Sequence, residues 1–260
     1  MKDDNLTFWD HLDVLRGGII RVIVVWVVVA VAYFAALPVL MDAVILAPCH
    51  DDFPLYGLLR RAGGLLGAEG DLLGGPLQVN LINIQLTAPF LIHISTAFWL
   101  SVVTTVPYLL WEVWRFVSPA LYPGEKRGVG RAFRLGGVLF YAGVAVGYFL
   151  VWPLALRFLF TYQLSPDIVN QISLNSYIDN FVMLVLCMGL AFELPLVTWL
   201  LGALGVVNRS ILRRYRRHAV VAVVIAAAII TPTGDPFTLT IVAIPLYLLY
   251  ELSIATLKAG

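Results

Sequence analysis

Four apolar runs, Ile19–Leu37, Ala88–Trp114, Phe133–Leu156 and Ile178–Leu204, are each long enough to cross a bilayer, whose hydrocarbon core takes about 20 residues of helix. Two more follow, Ala219–Thr231 and Phe237–Leu257, separated by the turn TPTGDP. The fifth run is short. With its neighbour it reads as a helical hairpin that thins the bilayer locally. The expected fold is an all-α membrane protein with six transmembrane helices, the fifth and sixth short. It forms a single domain over residues 1–260, with 18 residues ahead of the first span and a long outer loop at 38–87. Composition agrees, since 60% of the chain is hydrophobic and only 13% charged, against about 25% charged in a soluble domain.

The connections orient the helices, because lysine and arginine collect on the cytoplasmic side. Lys2, Arg16 and Arg21 flank the first span, and Arg115, Lys126, Arg127, Arg131 and Arg134 fill the second-to-third connection. Arg209, Arg213, Arg214, Arg216 and Arg217 fill the fourth-to-fifth, and Lys258 lies near the end. Only Arg60, Arg61 and Arg157 fall on the other side. Both termini are therefore expected in the cytoplasm, and Arg21 is expected to snorkel. The first run lacks a small-residue cleavage site and reads as a retained anchor. In the outer loop, RRAGGLLGAEGDLLGG suggests a short amphipathic stretch. Net charge is +1, which gives no footprint for nucleic acid. Cys49 and Cys187 lie far apart without metal-ligand spacing and are expected to be unpaired.

Enzymatic chemistry finds little support. There is no glycine-rich phosphate loop, HExxH or GxSxG, and His11, His50, His93 and His218 are scattered. No metal site or cofactor is expected. Acids near or inside the spans remain. Glu112 and Glu251 sit close to span ends, where water solvates them. Glu193, in MGLAFELPLVTWLL, stands about 15 residues into the fourth span, two before Pro195. A carboxylate at that depth is expected to face a cavity or a partner helix. Pro195 frees the Ala191 carbonyl one turn earlier, which can hold a polar group nearby.

Four stretches, in order along nearly the whole chain, resemble one family. FWDHLDVLRGGIIR is similar to an HLxELRxR opening. VPYLLWEVWRFVSPALYPGEKR is similar to an aromatic helix end followed by an F-P-ALY-E-basic loop. AFELP resembles a fourth-helix signature, and TPTGDPF followed by AIPLYLLYE resembles a fifth-to-sixth hairpin. These are motifs of the TatC family, the multispanning subunit of the twin-arginine protein translocase.

The resemblance implies a non-enzymatic receptor in a bacterial-type cell inner membrane. It would bind twin-arginine signal peptides, act with single-span TatA/TatB-type subunits, assemble as a homo-oligomer within a complex and export folded proteins on the protonmotive force. Two guanidiniums need carboxylates, because bidentate charge-assisted pairs are short and directional. Glu125 matches the family's loop acid, with Phe116, Pro119, Leu121 and Tyr122 beside it. The opening departs from the pattern: Val14 stands where the family has its acid. Asp13 matches the neighbouring variable position, and Asp10 lies one turn before Val14 on the same helix face. Either supplies a second carboxylate, or Glu125 acts more alone; Asp10 is equally a helix N-cap. Glu193 would receive a polar residue of a TatA/TatB-type helix, and Pro48 and Asp235 match outer-face family positions. The alternative from another class is a proton-coupled secondary transporter using Glu193.

Overall fold

The computed structural model describes residues 8–66, 79–120, 123–162, 165, 170–203, 205–231 and 234–257. Ten α-helices occur among them: α1 (Phe8–Leu40), α2 (Pro54–Leu66), α3 (Ala88–Val117), α4 (Pro123–Val146), α5 (Trp152–Thr161), α6 (Leu174–Ala191), α7 (Leu194–Ala203), α8 (Arg209–Arg214), α9 (Arg216–Ile230) and α10 (Pro236–Thr256). Five segments are long and apolar enough to cross a membrane. The fifth expected span, α9, is a helix of 15 residues, about 22 Å long, paired with α10 as a hairpin. α10, expected to be short, has 21 residues and is one of the five.

Several boundaries move outward from the apolar runs. α1 starts at Phe8, so Arg16 and Arg21 ride on it and the 18-residue flank is largely helix. It also continues through Pro38 to Leu40 and then a π-helical turn, Met41–Ile45, so the connection expected from residue 38 starts later. The Phe34 carbonyl that Pro38 leaves free is met by the His93 ring of α3. Likewise α4 begins at Pro123. Lys126, Arg127, Arg131 and Arg134, expected in a connection, all lie on a helix, where proline suits the first turn. The fourth span breaks at Phe192–Glu193 into α6 and α7, because Pro195 has no N–H to continue the ladder. The Glu193 N–H instead reaches the Leu190 carbonyl at 3.0 Å.

One feature departs from an all-helical fold. Two-residue strands β1 (Leu81–Ile82) and β2 (Ile172–Ser173) pair in parallel, Leu81 opposite Ile172 and Ile82 opposite Ser173. They tie the α1–α3 and α5–α6 connections together just before α3 and α6, and the Ser173 hydroxyl caps α6 by accepting from the Ser176 N–H. α2 covers the first part of the stretch expected to be amphipathic; its later residues, 67–75, lie outside those described. Cys49 and Cys187 are both free.

The core is unequal between the two ends. A large cluster built on Leu37, Ile45, Tyr56, Trp152, Tyr177 and Met188 occupies the half carrying the α1–α3 and α5–α6 connections. At the other end the buried cluster among the described residues is Val129, Phe133 and Leu196. α1 is peripheral, with Val24, Val28 and Val31 exposed on the bundle surface, as a lipid-facing helix requires. It is held to α3 by a Tyr33–Thr104 hydroxyl pair at 2.8 Å and by His93, whose ring nitrogen meets the Phe34 carbonyl at 2.8 Å.

α4 lies close against α6 and the helix break. A Cβ on Gly143 would stand 2.6 Å from the Met188 carbonyl oxygen and 2.7 Å from the Phe192 side chain. The backbone cannot yield cheaply there. Gly143→Val is therefore expected to lower the yield of monodisperse protein several-fold in size-exclusion chromatography. Gly137→Ala, whose Cβ would meet Pro107 at 3.6 Å, is expected to leave it unchanged.

Candidate functional site

The end with the thin core is where α1 begins, α3 ends and α4 begins. A 3₁₀ turn, Ser118–Ala120, joins the last two helices. Pro119 is exposed on that turn and Phe116 is half-buried in the last turn of α3. Glu125 falls in the first turn of α4, where the helix dipole favours an acid; its side chain is outside what is described. Leu121 and Tyr122 lie outside the described residues. Asp13 is exposed on α1. Asp10 lies in the first turn of α1 rather than ahead of it, so the simple N-cap reading does not hold.

A cavity of about 170 Å³ opens between α1 and α3, lined by Val14, Gly18, Arg21, Glu112, Arg115 and Phe116 among others. The structure thus brings Val14 and Phe116 to one site but leaves Asp13 off its wall. It also supplies a carboxylate not expected there. Glu112 is buried, with a 7% exposed side chain, and not solvated. It holds Arg21 in a bidentate pair, Nε to Oε1 and Nη2 to Oε2, both at 2.8 Å. The Tyr108 hydroxyl donates to Oε1 at 3.0 Å. Arg21, 43% exposed, does not simply snorkel; it clamps α1 to α3. Gly18 makes room, since a Cβ there would lie 3.5 Å from Oε2. Residue identities do signal this pair: an arginine near the start of one span and an acid near the end of the next meet when the helices run antiparallel. Glu251 is similarly engaged, accepting from Arg216 at 2.6 Å and from the Tyr247 hydroxyl at 3.1 Å.

Glu193 lies elsewhere, at the α6–α7 break. It is buried, at 8% exposure, and neither carboxylate oxygen has a hydrogen-bond partner among the described residues. Gly136 of α4 admits it, because a Cβ there would stand 2.9 Å from Oε2. On the far side, Pro48 is buried in a 3₁₀ turn, its carbonyl accepting from the Tyr56 hydroxyl at 2.7 Å. Asp235 caps α10, Oδ1 accepting from the Thr238 N–H at 2.7 Å. Among the described residues, no three His, Cys, Asp or Glu side chains gather as a metal site.

Residues 10–245 match the family model described as Sec-independent protein translocase protein (TatC). A protein of that name from Deinococcus radiodurans is 40% identical over 178 residues, covering 68% of this chain and 65% of its own length. The one from Carboxydothermus hydrogenoformans is 30% identical across 99% of this chain and 95% of its own. A crystal structure of the twin-arginine translocase receptor TatC in detergent superposes with a TM-score of 0.71 at 30% identity, covering 95% of this chain and 99% of that one. The family match, the identity to its members and the superposition converge: this chain belongs to the TatC family of Sec-independent protein translocase proteins, a membrane-embedded component of protein transport and not an enzyme.

Proposed function

We propose that this chain is the receptor for twin-arginine signal peptides in a translocase of folded proteins driven by the protonmotive force. The observation that carries it is the likeness, over 95% of the chain, to a solved twin-arginine translocase receptor. The same likeness favours a receptor over a proton-coupled carrier. In this reading all six helices span the cell inner membrane with both termini inside, and the chain works as a homo-oligomer with single-span TatA/TatB-type partners. Glu125 pairs with a signal-peptide guanidinium beside Phe116, Pro119, Leu121 and Tyr122. Glu193 receives the partner helix, while Pro48 and Asp235 shape the outer turns. The Arg21–Glu112 pair lends chemical support, since this end of the bundle already holds one guanidinium on a carboxylate.

The test is photo-crosslinking of a twin-arginine peptide beside its Lys-Lys version. The arginine peptide is expected to crosslink near residues 116–125 and the lysine peptide weakly, because a compact ammonium cannot form the bidentate pair. Equal crosslinking of both removes the receptor reading.

Orientation is separately checkable. A cysteine placed at position 125 is expected to stay unlabelled by an impermeant reagent in intact cells, while one at position 62 labels. The reverse pattern overturns the topology.

The N-terminal acids have their own prediction. Val14→Glu is expected to be tolerated, because position 14 borders the cavity near Arg21 and Arg115. Asp10→Asn combined with Asp13→Asn is expected to slow export of folded cargo more than either change alone. Wild-type export by the double variant excludes both acids from recognition.

A further inference from the structure

The outward-facing seam of the α3–α4 hairpin carries a groove of about 580 Å³, lined by Trp111, Trp114, Lys126, Arg134 and Tyr141 among others. Its shape follows from the register of the hairpin. Gly130 faces Trp114 and Gly137 faces Pro107, where added Cβ atoms would lie 3.0 and 3.6 Å away. Further along, the Tyr141 hydroxyl donates to the Thr104 carbonyl at 3.3 Å. The two glycines, seven residues apart, remove side chains that would otherwise fill the seam. On the α4 wall, Lys126, Gly130, Arg134 and Val138 recur every fourth residue, so they form one stripe. The opposite wall is α3, with Trp111 56% exposed.

Charge and depth define what the groove takes. Arg134 stands at the start of the apolar run Phe133–Leu156, where α4 meets the edge of the hydrocarbon. It is exposed, and among the described residues no carboxylate lies within ion-pair distance of it or of Lys126. A guanidinium at that edge meets lipid headgroups, and its planar fork suits a phosphate. Beyond Arg134 the wall turns apolar, with Gly137, Val138 and Tyr141. A fitting ligand is therefore anionic at the end near the start of α4 and hydrocarbon toward the membrane interior. Basic pockets between membrane helices hold anionic lipid headgroups in this way.

We propose that the groove is a binding site for one anionic phospholipid, with its phosphodiester between Lys126 and Arg134 and an acyl chain running over Gly137 to Tyr141. The site does not depend on signal-peptide recognition. Native mass spectrometry of the full-length, detergent-purified protein tests it, with phosphatidylglycerol and phosphatidylcholine as the probes. The wild type is expected to retain phosphatidylglycerol preferentially. Arg134→Gln is expected to lower that retention about fivefold, the worth of one cation near an anionic headgroup, while Arg134→Lys keeps most of it. Gly137→Leu is expected to reduce retention by filling the apolar half; if that variant elutes as aggregate, Arg134→Gln decides alone. Equal retention of the two lipids by the wild type overturns the proposal, as does undiminished phosphatidylglycerol in Arg134→Gln. Displacement of the lipid by millimolar inorganic phosphate would mark a free-anion site and overturn it too. So would a crosslink from residue 138 to the apolar segment of a bound signal peptide that displaces the lipid.

Discussion

Glu125→Gln is expected to weaken binding of a twin-arginine signal peptide by on the order of 2–5 kcal/mol, while leaving the protein folded. That is the scale for truncating one partner of a desolvated charge pair and leaving an arginine without its carboxylate. Position 125 sits in the first turn of α4, directly after the turn that ends α3. The change is isosteric and exchanges one anionic group for a neutral amide there. Glu112→Gln provides the contrast. Glu112 is buried and bound to Arg21 and Tyr108, so its loss loosens α1 from α3 and is expected to appear mainly as reduced folded yield. Peptide crosslinking per folded molecule is then expected to fall less at Glu112 than at Glu125. Equal losses at the two positions would sink the assignment of recognition to Glu125.

The helix order was legible because burial in lipid leaves few choices: long apolar runs must be helices with their backbone bonds closed internally. The limits of those helices were not. Apolar runs mark only the part of a helix that meets hydrocarbon, whereas α1 and α4 extend through polar residues that hydropathy assigns to connections. That error hid two features. On α1, Arg21 reaches across to Glu112, a pair that follows from the antiparallel meeting of two spans and not from either span alone. On α4, Lys126 and Arg134 share a helical stripe and not a flexible loop, which is what makes a groove of them. The break at Glu193 was foreshadowed by Pro195, because a proline's missing N–H acts locally and needs no tertiary information. The parallel pairing of Leu81–Ile82 with Ile172–Ser173 had no comparable signal, since two-residue strands carry no periodicity.

Glu193→Ala is expected to abolish most co-purification of a single-span TatA/TatB-type partner while sparing signal-peptide binding at the other site. Both carboxylate oxygens are buried and have no hydrogen-bond partner among the described residues, although nearly all such groups in folded proteins find one. The chain breaks its fourth span at that residue and keeps Gly136 opposite, at a distance that only an absent side chain allows. In the proposed reading, a partner helix arriving from the bilayer displaces the cover of this group and supplies the hydrogen bond it lacks, worth about 1–2 kcal/mol at most. Glu193→Gln retains a donor and an acceptor of nearly the same shape, so partial assembly and partial export are expected from it. A purely structural acid predicts a different pattern. Removing its carboxylate would then lower the yield of folded protein, and Gly136→Ala, which crowds the same oxygen, would do so as well. Partner co-purification measured beside membrane-protein yield separates the two. Normal assembly in the alanine variant, at normal yield, would take Glu193 out of the mechanism.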